Sequence, residues 1–427
     1  MPGTLLFVGA SQVVTCGGPA RARRGAEMAD AGVREGVAVL VDGDRISAVD
    51  EERALRTAAP NASLVDCAGG VLTPGFVDSH THAIFGRARY EEPELRATGV
   101  SSMEIARRGG GIHASVRDLR QRSEDDLFAL AESRLRSLAA HGVTTVEVKS
   151  GYGLTLDDEL KSLRVVAQLA AALPMRVLAT WLGAHEIPLE FRDHMNGRRE
   201  YVDLLIHEML PVIARERLAS YADVFCEPGV FSVDESRAIL TAARASGLQV
   251  KLHADELTAG GGAELAGSLR ALSADHLAAV SDEGITALAS AGTVATLLPG
   301  TMLFLGKRDH APARRMIERG VAVALATDFN PGTSPTTNFP LILTLGVSQL
   351  RMSAGEAMIA GTVNGAGALG LADRVGQLAP GFSADLALWD VEDVRELPYW
   401  YGAGRCKASW ARGKPCHVQH LALTFPR

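Results

Sequence analysis

The chain of 427 residues is 47% hydrophobic and 22% charged, the composition of a globular enzyme with enough apolar material for a large core. Its net charge of -7 argues against nucleic acids and anionic membranes as partners, because both attract basic surfaces. No apolar run approaches the ~20 residues of a membrane helix, and the first residues do not resemble a signal peptide. Five scattered cysteines without a C-x-x-C pair indicate reduced thiols, so we expect a cytoplasmic protein.

Short strands are predicted at both ends of the chain. Near the N-terminus they cover residues 4–8, 37–41 and 45–49, with Asp42-Gly43-Asp44 as a tight turn between the last two. Runs of the same kind occupy residues 385–389 and 408–410. We therefore predict that residues 1–70 and 375–427 form one small composite β-sandwich domain.

Residues 71–374 alternate between apolar strand-like runs and helical patterns such as those at 124–140 and 156–172. The apolar runs cover residues 71–82, 144–150, 175–185, 222–226, 249–253, 272–276, 294–298 and 321–328. Eight β-α units are the number required for a (β/α)8 barrel, so the predicted fold class is α/β with a barrel over residues 71–374.

Histidines and an aspartate follow several of these runs, where a barrel carries its active residues. The residues concerned are His80, His82, His185, His253, His276 and Asp328. In an extended segment, residues two apart point to the same side, so His80 and His82 can bind one metal ion. Burying two unpartnered imidazoles would cost free energy, which favours a ligand role for this pair.

Other residues at the strand ends have structural alternatives when each is considered alone. Asp328 could cap a following helix, and His276 could be a core residue bonded to Asp275. Glu256 could be an acid of a first helical turn, favoured by the helix dipole. Arg89 and Tyr152 are predicted loop residues whose own sequence signal is weak.

The segment Pro74-Gly75-Phe76-Val77-Asp78-Ser79-His80-Thr81-His82, together with His253, His276 and Asp328, resembles the amidohydrolase superfamily. The resemblance is closest to the amidohydrolases of histidine breakdown. It rests on Lys149-Ser150-Gly151-Tyr152-Gly153, His253-Ala254-Asp255-Glu256 and Asp328-Phe329-Asn330-Pro331-Gly332, and it covers nearly the whole chain. Two positions depart from the pattern: Arg87 stands where a glycine is usual, and Thr333 where a serine is common.

The resemblance implies a metal centre with His80, His82, His253 and Asp328 as ligands, a set that suits Zn or Fe(II). The fourth predicted strand has no lysine to bridge two ions, so we expect one divalent ion per chain. The implied reaction is hydrolysis of the ring amide of 4-imidazolone-5-propanoate to N-formimino-L-glutamate. Barrels of this type often dimerise, so the resemblance allows a homodimer.

The same resemblance implies roles for individual side chains. Asp328, His276 and Glu256 would carry the proton transfers and stabilise the oxyanion. The substrate is a small molecule with a carboxylate tail, which Arg89 would pair with bidentately. The substrate pocket would comprise Arg89, Tyr152, His185, Glu256, Asn330, Gly332 and Thr333, with Arg87 as a candidate second cation beside the tail.

Two other functions remain open from sequence. Another amidohydrolase of this architecture could deaminate a purine, pyrimidine or triazine, and such a neutral base would not need Arg89. A non-catalytic barrel could serve as a binding or scaffold protein, although the complete ligand set argues against it.

Overall fold

The computed structural model describes residues 3–419 and 423–424. Its strands in chain order are β1 (Leu5–Val8), β2 (Gln12–Val14), β3 (Val33–Arg34), β4 (Val37–Asp42), β5 (Arg45–Glu51), β6 (Ser63–Asp66), β7 (Val71–Pro74), β8 (Phe76–Asp78), β9 (Val143–Lys149), β10 (Arg176–Ala184), β11 (Tyr221–Cys226), β12 (Gln249–Ala254), β13 (Ser273–His276), β14 (Val294–Leu297), β15 (Val323–Leu325), β16 (Leu386–Trp389), β17 (Cys406–Ala411), β18 (Lys414–Val418) and β19 (Leu423–Thr424).

The α-helices are α1 (Glu52–Ala58), α2 (Glu91–Ala97), α3 (Ser102–Arg107), α4 (Ile112–Gln121), α5 (Glu124–Ala139), α6 (Leu156–Ala172), α7 (Gly197–Leu204), α8 (Leu210–Glu216), α9 (Val233–Ala245), α10 (Gly262–Ser268), α11 (Asp282–Ala291), α12 (Pro299–Phe304), α13 (Ala313–Glu318), α14 (Phe339–Ser348), α15 (Ala354–Ile359), α16 (Gly365–Ala368) and α17 (Glu396–Tyr399). Short 3-10 helices cover Gly25–Met28 and Leu189–Phe191, and π-helical turns cover Leu205–Met209 and Ala360–Asn364.

The strands β8 to β15 form one parallel sheet in sequential order, as the alternating pattern predicts. Each connection contains at least one helix, which is required for parallel neighbours. The inner and outer faces of β9 are both buried, as expected for a strand between a barrel interior and its helices. The predicted (β/α)8 barrel is thus confirmed.

The barrel closes between its first and last strands through the segments that follow them. The amide of Asp328 donates to the carbonyl of His80 at 3.1 Å, and the amide of His82 donates to the carbonyl of Phe329 at 2.8 Å. We call residues 79–82 and 328–329 the seam. Just below it, the buried Asp78 carboxylate accepts from the amide and hydroxyl of Thr327, which joins β8 to the end of β15.

The apolar run 71–82, predicted as one strand, is two strands that belong to different sheets. The break is at Gly75, whose amide donates to Asp385 of the terminal sheet, while the next amide, of Phe76, donates to Gly142 of the barrel. A Cβ at residue 75 would overlap the side chain of Thr144, so only glycine fits. A hydropathy pattern does not reveal this change of partner.

Strands from both ends of the chain form two further sheets. One has the order β19-β6-β1-β4-β5, and the other has the order β18-β17-β16-β7-β2-β3. An apolar core lies between them, in which Phe7 meets Trp410 edge to face at 4.9 Å. This is the predicted sandwich, with β7 paired to the terminal strands. Residues 1–2, 420–422 and 425–427 of the predicted domain lie outside the described residues.

Trp389 of the sandwich is fully buried against the base of the barrel. Its indole nitrogen donates to the Thr73 hydroxyl at 2.9 Å, and its ring lies 5.2 Å from that of Phe76, which stacks on Phe339.

Among the described residues, no helix is both long and apolar enough to cross a bilayer.

Candidate active site

Four side chains at the barrel's carboxyl end point their donor atoms at one position. His80 Nε2 and His82 Nε2 lie 3.5 and 3.6 Å from Asp328 Oδ1, and His253 Nε2 lies 3.4 Å from His82 Nε2. All four side chains are at least 97% buried. The four ligands predicted from sequence therefore come together, from the segments after β8 and β15 and from β12.

These separations fit a divalent metal ion. Ligands about 2.1 Å from a tetrahedral ion are about 3.4 Å from one another. His80 Nε2 is buried and has no hydrogen-bond partner among the described residues, a cost that a bound ion would remove. His276 also lies within ligand distance of His80 and Asp328, so five side chains border the position.

Two carboxylates behind the proposed ligands fix the orientation of the imidazole rings, a role that their positions in the sequence do not indicate. Asp275 Oδ2 accepts from His80 Nδ1 at 2.6 Å, and Asp223 Oδ2 accepts from His253 Nδ1 at 3.0 Å. Each bond leaves Nε2 of the ring free for a metal, as second-sphere carboxylates commonly do. The only sequence signal for these two residues is an acidic side chain inside an apolar strand. Asp275, which the sequence offers as a partner of His276, bonds His80 instead.

Burial keeps most of the imidazoles in the site neutral. It lowers the pKa of His80 and His82 well below their ordinary value, and that of His185 and His276 to about 3. His253 differs: burial alone would lower its pKa, but the Asp223 carboxylate and other acidic neighbours outweigh burial and raise it. Neutral rings have the free lone pair that a metal requires.

Glu256 and His276 lie side by side next to the ligands. His276 Nδ1 is 3.6 Å from Glu256 Oε2, and His276 Nε2 has no partner among the described residues. Burial raises the pKa of Glu256 to about 7, so this carboxyl can gain or lose a proton near neutral pH. Glu256 lies beyond the end of β12 and before α10, so it is not an acid of a first helical turn.

Strained backbone occurs at three strand ends around this site. Asp255, His276 and Asp328 have φ of +50°, +77° and +51°, in the left-handed region that side chains rarely adopt. Asp328 also receives a hydrogen bond from the Thr301 hydroxyl on Oδ2 at 2.5 Å, which leaves Oδ1 facing the histidines. It caps no helix, because α14 begins eleven residues later, at Phe339.

Arg89 lies on the wall of the same cavity, held by acidic and small neighbours. Its Nε is 3.2 Å from Glu92 Oε1, and its Nη1 donates to Ser115 Oγ at 3.3 Å. A Cβ on Gly332 would overlap the guanidinium, so the glycine provides the space in which Arg89 lies. Arg96, which has no distinguishing signal in the sequence, also pairs with Glu92, its Nη1 lying 3.5 Å from Glu92 Oε2. Its other terminal nitrogen donates to the Gly332 carbonyl.

Tyr152 and His185 also line the cavity. His185 lies 5.1 Å from the His82 ring, nearly parallel to it, and its Nδ1 bonds the Gly151 carbonyl at 2.9 Å. The loop that carries Tyr152 is anchored by Glu159. The Oε1 atom of Glu159 accepts hydrogen bonds from three backbone amides of this loop, those of Gly151, Gly153 and Leu154. Burial raises the pKa of Tyr152, so its hydroxyl stays protonated.

Asn330 organises the loop after β15. Its amide nitrogen donates to the Asp328 carbonyl and the Thr333 hydroxyl, and its oxygen accepts from the amides of Gly332 and Thr333. Asn330 and Thr333 border the cavity. The side chain of Asn330 is therefore engaged in holding the loop beneath Arg89.

The cavity has a volume of about 610 Å³, within the range of small-molecule sites. It is lined by three of the four proposed ligands, His82, His253 and Asp328. The same cavity is bordered by Glu256, His276, Arg89, Tyr152 and His185. Arg87 does not border it. Its guanidinium, more than half exposed, stacks near Tyr90 and pairs with Glu91, so the second cation beside Arg89 is Arg96.

A (β/α)8 barrel with a histidine and aspartate cluster at its carboxyl end defines the class of metal-dependent amide and amine hydrolases. The family model described as "Amidohydrolase family" matches residues 96–416. The chain is 48% identical to the imidazolonepropionase of Symbiobacterium thermophilum over 97% of each chain, and 44% identical to that of Geobacillus kaustophilus over 95% and 96%. The chain belongs to the imidazolonepropionase family of the amidohydrolases.

Solved structures share the fold at low sequence identity. Guanine deaminase from E. coli superimposes with a TM-score of 0.74 at 17% identity, covering 98% of this chain and 99% of its own. An adenosine deaminase from Xanthomonas campestris with bound zinc gives 0.70 at 19% identity, covering 98% and 94%. These similarities support the barrel and sandwich architecture alone.

Proposed function

We propose that this chain hydrolyses the ring amide of 4-imidazolone-5-propanoate to N-formimino-L-glutamate in histidine degradation. The observation that carries the proposal is the position of Arg89, a cation on the wall of the cavity that also contains the metal cluster. A substrate with a propanoate tail needs such a cation, whereas a neutral base does not. The full-length relatives named imidazolonepropionase support the same substrate.

His80, His82, His253 and Asp328 would hold one zinc or iron ion, since three imidazoles and a carboxylate suit either. Such an ion supplies a Lewis acid that lowers the pKa of water towards ~7 and polarises a carbonyl. The described part of β11 contains no lysine for a second ion.

The chain's own residues then perform the proton transfers. Asp328 Oδ1, directed at the ligand position, accepts a proton as water oxygen bonds to the ring carbonyl carbon. His276, with its proton on the unpartnered Nε2, donates a hydrogen bond to the oxyanion that develops. Glu256 delivers a proton to the ring nitrogen as the carbon–nitrogen bond breaks, which yields the carboxylate and the formimino group.

Substrate placement follows from the cavity wall. Arg89 would bind the propanoate carboxylate, with Arg96 as a second cation behind the shared Glu92. Tyr152 and His185 would bind the ring, while Asn330, Gly332 and Thr333 hold the loop that supports Arg89.

We also propose a cytoplasmic location and a division into a sandwich of residues 1–70 and 375–427 and a barrel of residues 71–374.

The test is the loss of imidazolonepropionate absorbance with purified, metal-loaded protein, with His276→Ala as the control. Rapid loss with the native chain and little with the variant supports both substrate and site. No loss in a sample with about one metal per chain overturns the proposed substrate. A screen of purine, pyrimidine and triazine substrates would then test the deaminase alternative.

A further inference from the structure

Five ionisable side chains lie together inside the barrel, directly beneath the metal ligands. We call them the buried charge cluster: Glu147, Lys149, Asp223, Lys251 and Asp275, each no more than 1% exposed. Barrel interiors are usually filled by branched apolar residues. Because each charge removed from water lowers the stability of the fold unless it is well paired, such a cluster requires an explanation beyond stability.

Lys149 is the member that reaches both carboxylates behind the ligands. Its Nζ lies 2.8 Å from Asp223 Oδ2 and 3.6 Å from Asp275 Oδ2. These are the same two oxygens that accept from His253 Nδ1 and His80 Nδ1. One ammonium group on β9 therefore contacts the supports of two ligands that come from different strands.

The other lysine and the glutamate have different contacts. Lys251 Nζ bonds Glu147 Oε2 at 2.7 Å and the Ser79 carbonyl at 2.9 Å, and it lies 3.9 Å from Asp275. Glu147 bonds Lys149 at 2.8 Å and also contacts the hydroxyl of Thr180. Among the described residues, the side-chain hydrogen bonds of Glu147 go to Lys149, Lys251 and Thr180, so it is buried as deeply as Lys149 but is not hydrogen-bonded to either ligand support.

We propose that Lys149 is a positioning residue of the metal centre, which fixes the oxygens of Asp223 and Asp275 and thereby the direction of Nε2 in His253 and His80. A metal site tolerates ligand errors of only about 0.5 Å, so the supports of the ligands must themselves be held. The Lys149 ammonium donates hydrogen bonds to Glu147 and Asp223, and its positive charge attracts the Asp275 carboxylate 3.6 Å away. The inference concerns metal binding and does not depend on the proposed substrate.

The experiment measures Zn²⁺ affinity of the metal-free chain by competition with a chromogenic chelator, and the visible spectrum of the Co²⁺-loaded chain. We expect Lys149→Met to weaken Zn²⁺ binding about 10- to 100-fold and to change the Co²⁺ bands, as losses of outer-sphere partners do. Lys149→Arg should recover part of the affinity. Glu147→Gln, the matched control in the same cluster, should leave affinity and spectrum unchanged while lowering the melting temperature.

A double variant separates position from charge. The cluster has two lysines and three acids, a formal net charge of -1, and Lys149→Met with Glu147→Gln retains that charge without the ammonium. Weak Zn²⁺ binding in the folded double variant supports the proposal. If Lys149→Met alone does not fold, the Zn²⁺ affinity is measured on the double variant instead. Native affinity in either chain that lacks Lys149 would overturn it.

Discussion

At the scale of single residues, Arg89 is the side chain that we propose selects a substrate with a carboxylate tail. We expect Arg89→Met to raise KM for imidazolonepropionate roughly 10- to 100-fold with little change in kcat, because a charged hydrogen bond is worth about 1.5–3 kcal/mol. Arg87→Met is the matched control: Arg87 lies two residues away, outside the cavity, so its loss should leave KM unchanged. Equal effects of the two substitutions would contradict this assignment.

Glu256 is expected to shape the pH dependence of the reaction. Glu256 must carry a proton to deliver it to the ring nitrogen, so activity should fall as pH rises through the pKa of Glu256. Burial raises that pKa to about 7 from the ordinary value of 4.5, so the carboxyl is still protonated just below neutral pH and the loss of activity lies on the alkaline side. A kcat/KM profile checks this, and Glu256→Gln should lose most activity and the alkaline limb together.

The four proposed ligands could be predicted from sequence because each lies at or just beyond the carboxyl end of a barrel strand, where side chains must converge. The supports could not. Asp223 and Asp275 are ordinary strand residues in a sequence, and their contact with His253 and His80 depends on the pairing of β11, β12 and β13. Similarly, the choice between Arg87 and Arg96 depends on how α2 packs over the cavity, which no local pattern encodes.

At the scale of elements, the loop after β15 makes room for the Arg89 guanidinium through one glycine, Gly332. We expect Gly332→Ala to raise KM about tenfold or more, because the added methyl group occupies the space of the Arg89 guanidinium. Gly404→Ala is the control: Gly404 is exposed, has no neighbour near an added Cβ and needs no left-handed φ. Steady-state kinetics that do not distinguish the two variants would contradict the packing argument.

The barrel strands and their sequential order were predictable from the sequence, but the partners of β7 were not. The break at Gly75 transfers the chain from the sandwich sheet to the barrel within one uninterrupted apolar run. A continuous apolar run indicates that both faces of a strand are buried, but it carries no information on which sheet the strand joins.

At the scale of the whole molecule, Trp389 joins the sandwich to the barrel. Replacing it by alanine removes contacts with Phe76 and the bond to Thr73, and we expect a destabilisation of about 3–5 kcal/mol. Because the two parts share this core, calorimetry should show one unfolding transition that moves to lower temperature. Two transitions, only one of which moves, would show that the sandwich and the barrel unfold separately.

The seam has a consequence for chains made when metal is scarce. Its hydrogen bonds run between the same short segments that carry His80, His82 and Asp328, so ion binding adds its free energy to barrel closure. Without the ion, β8 and β15, three residues each, become the edges most prone to pair with another chain. Metal-free protein should exchange the amides of His82 and Asp328 faster and scatter light on warming, and zinc should reverse both; equal exchange with and without metal would contradict this.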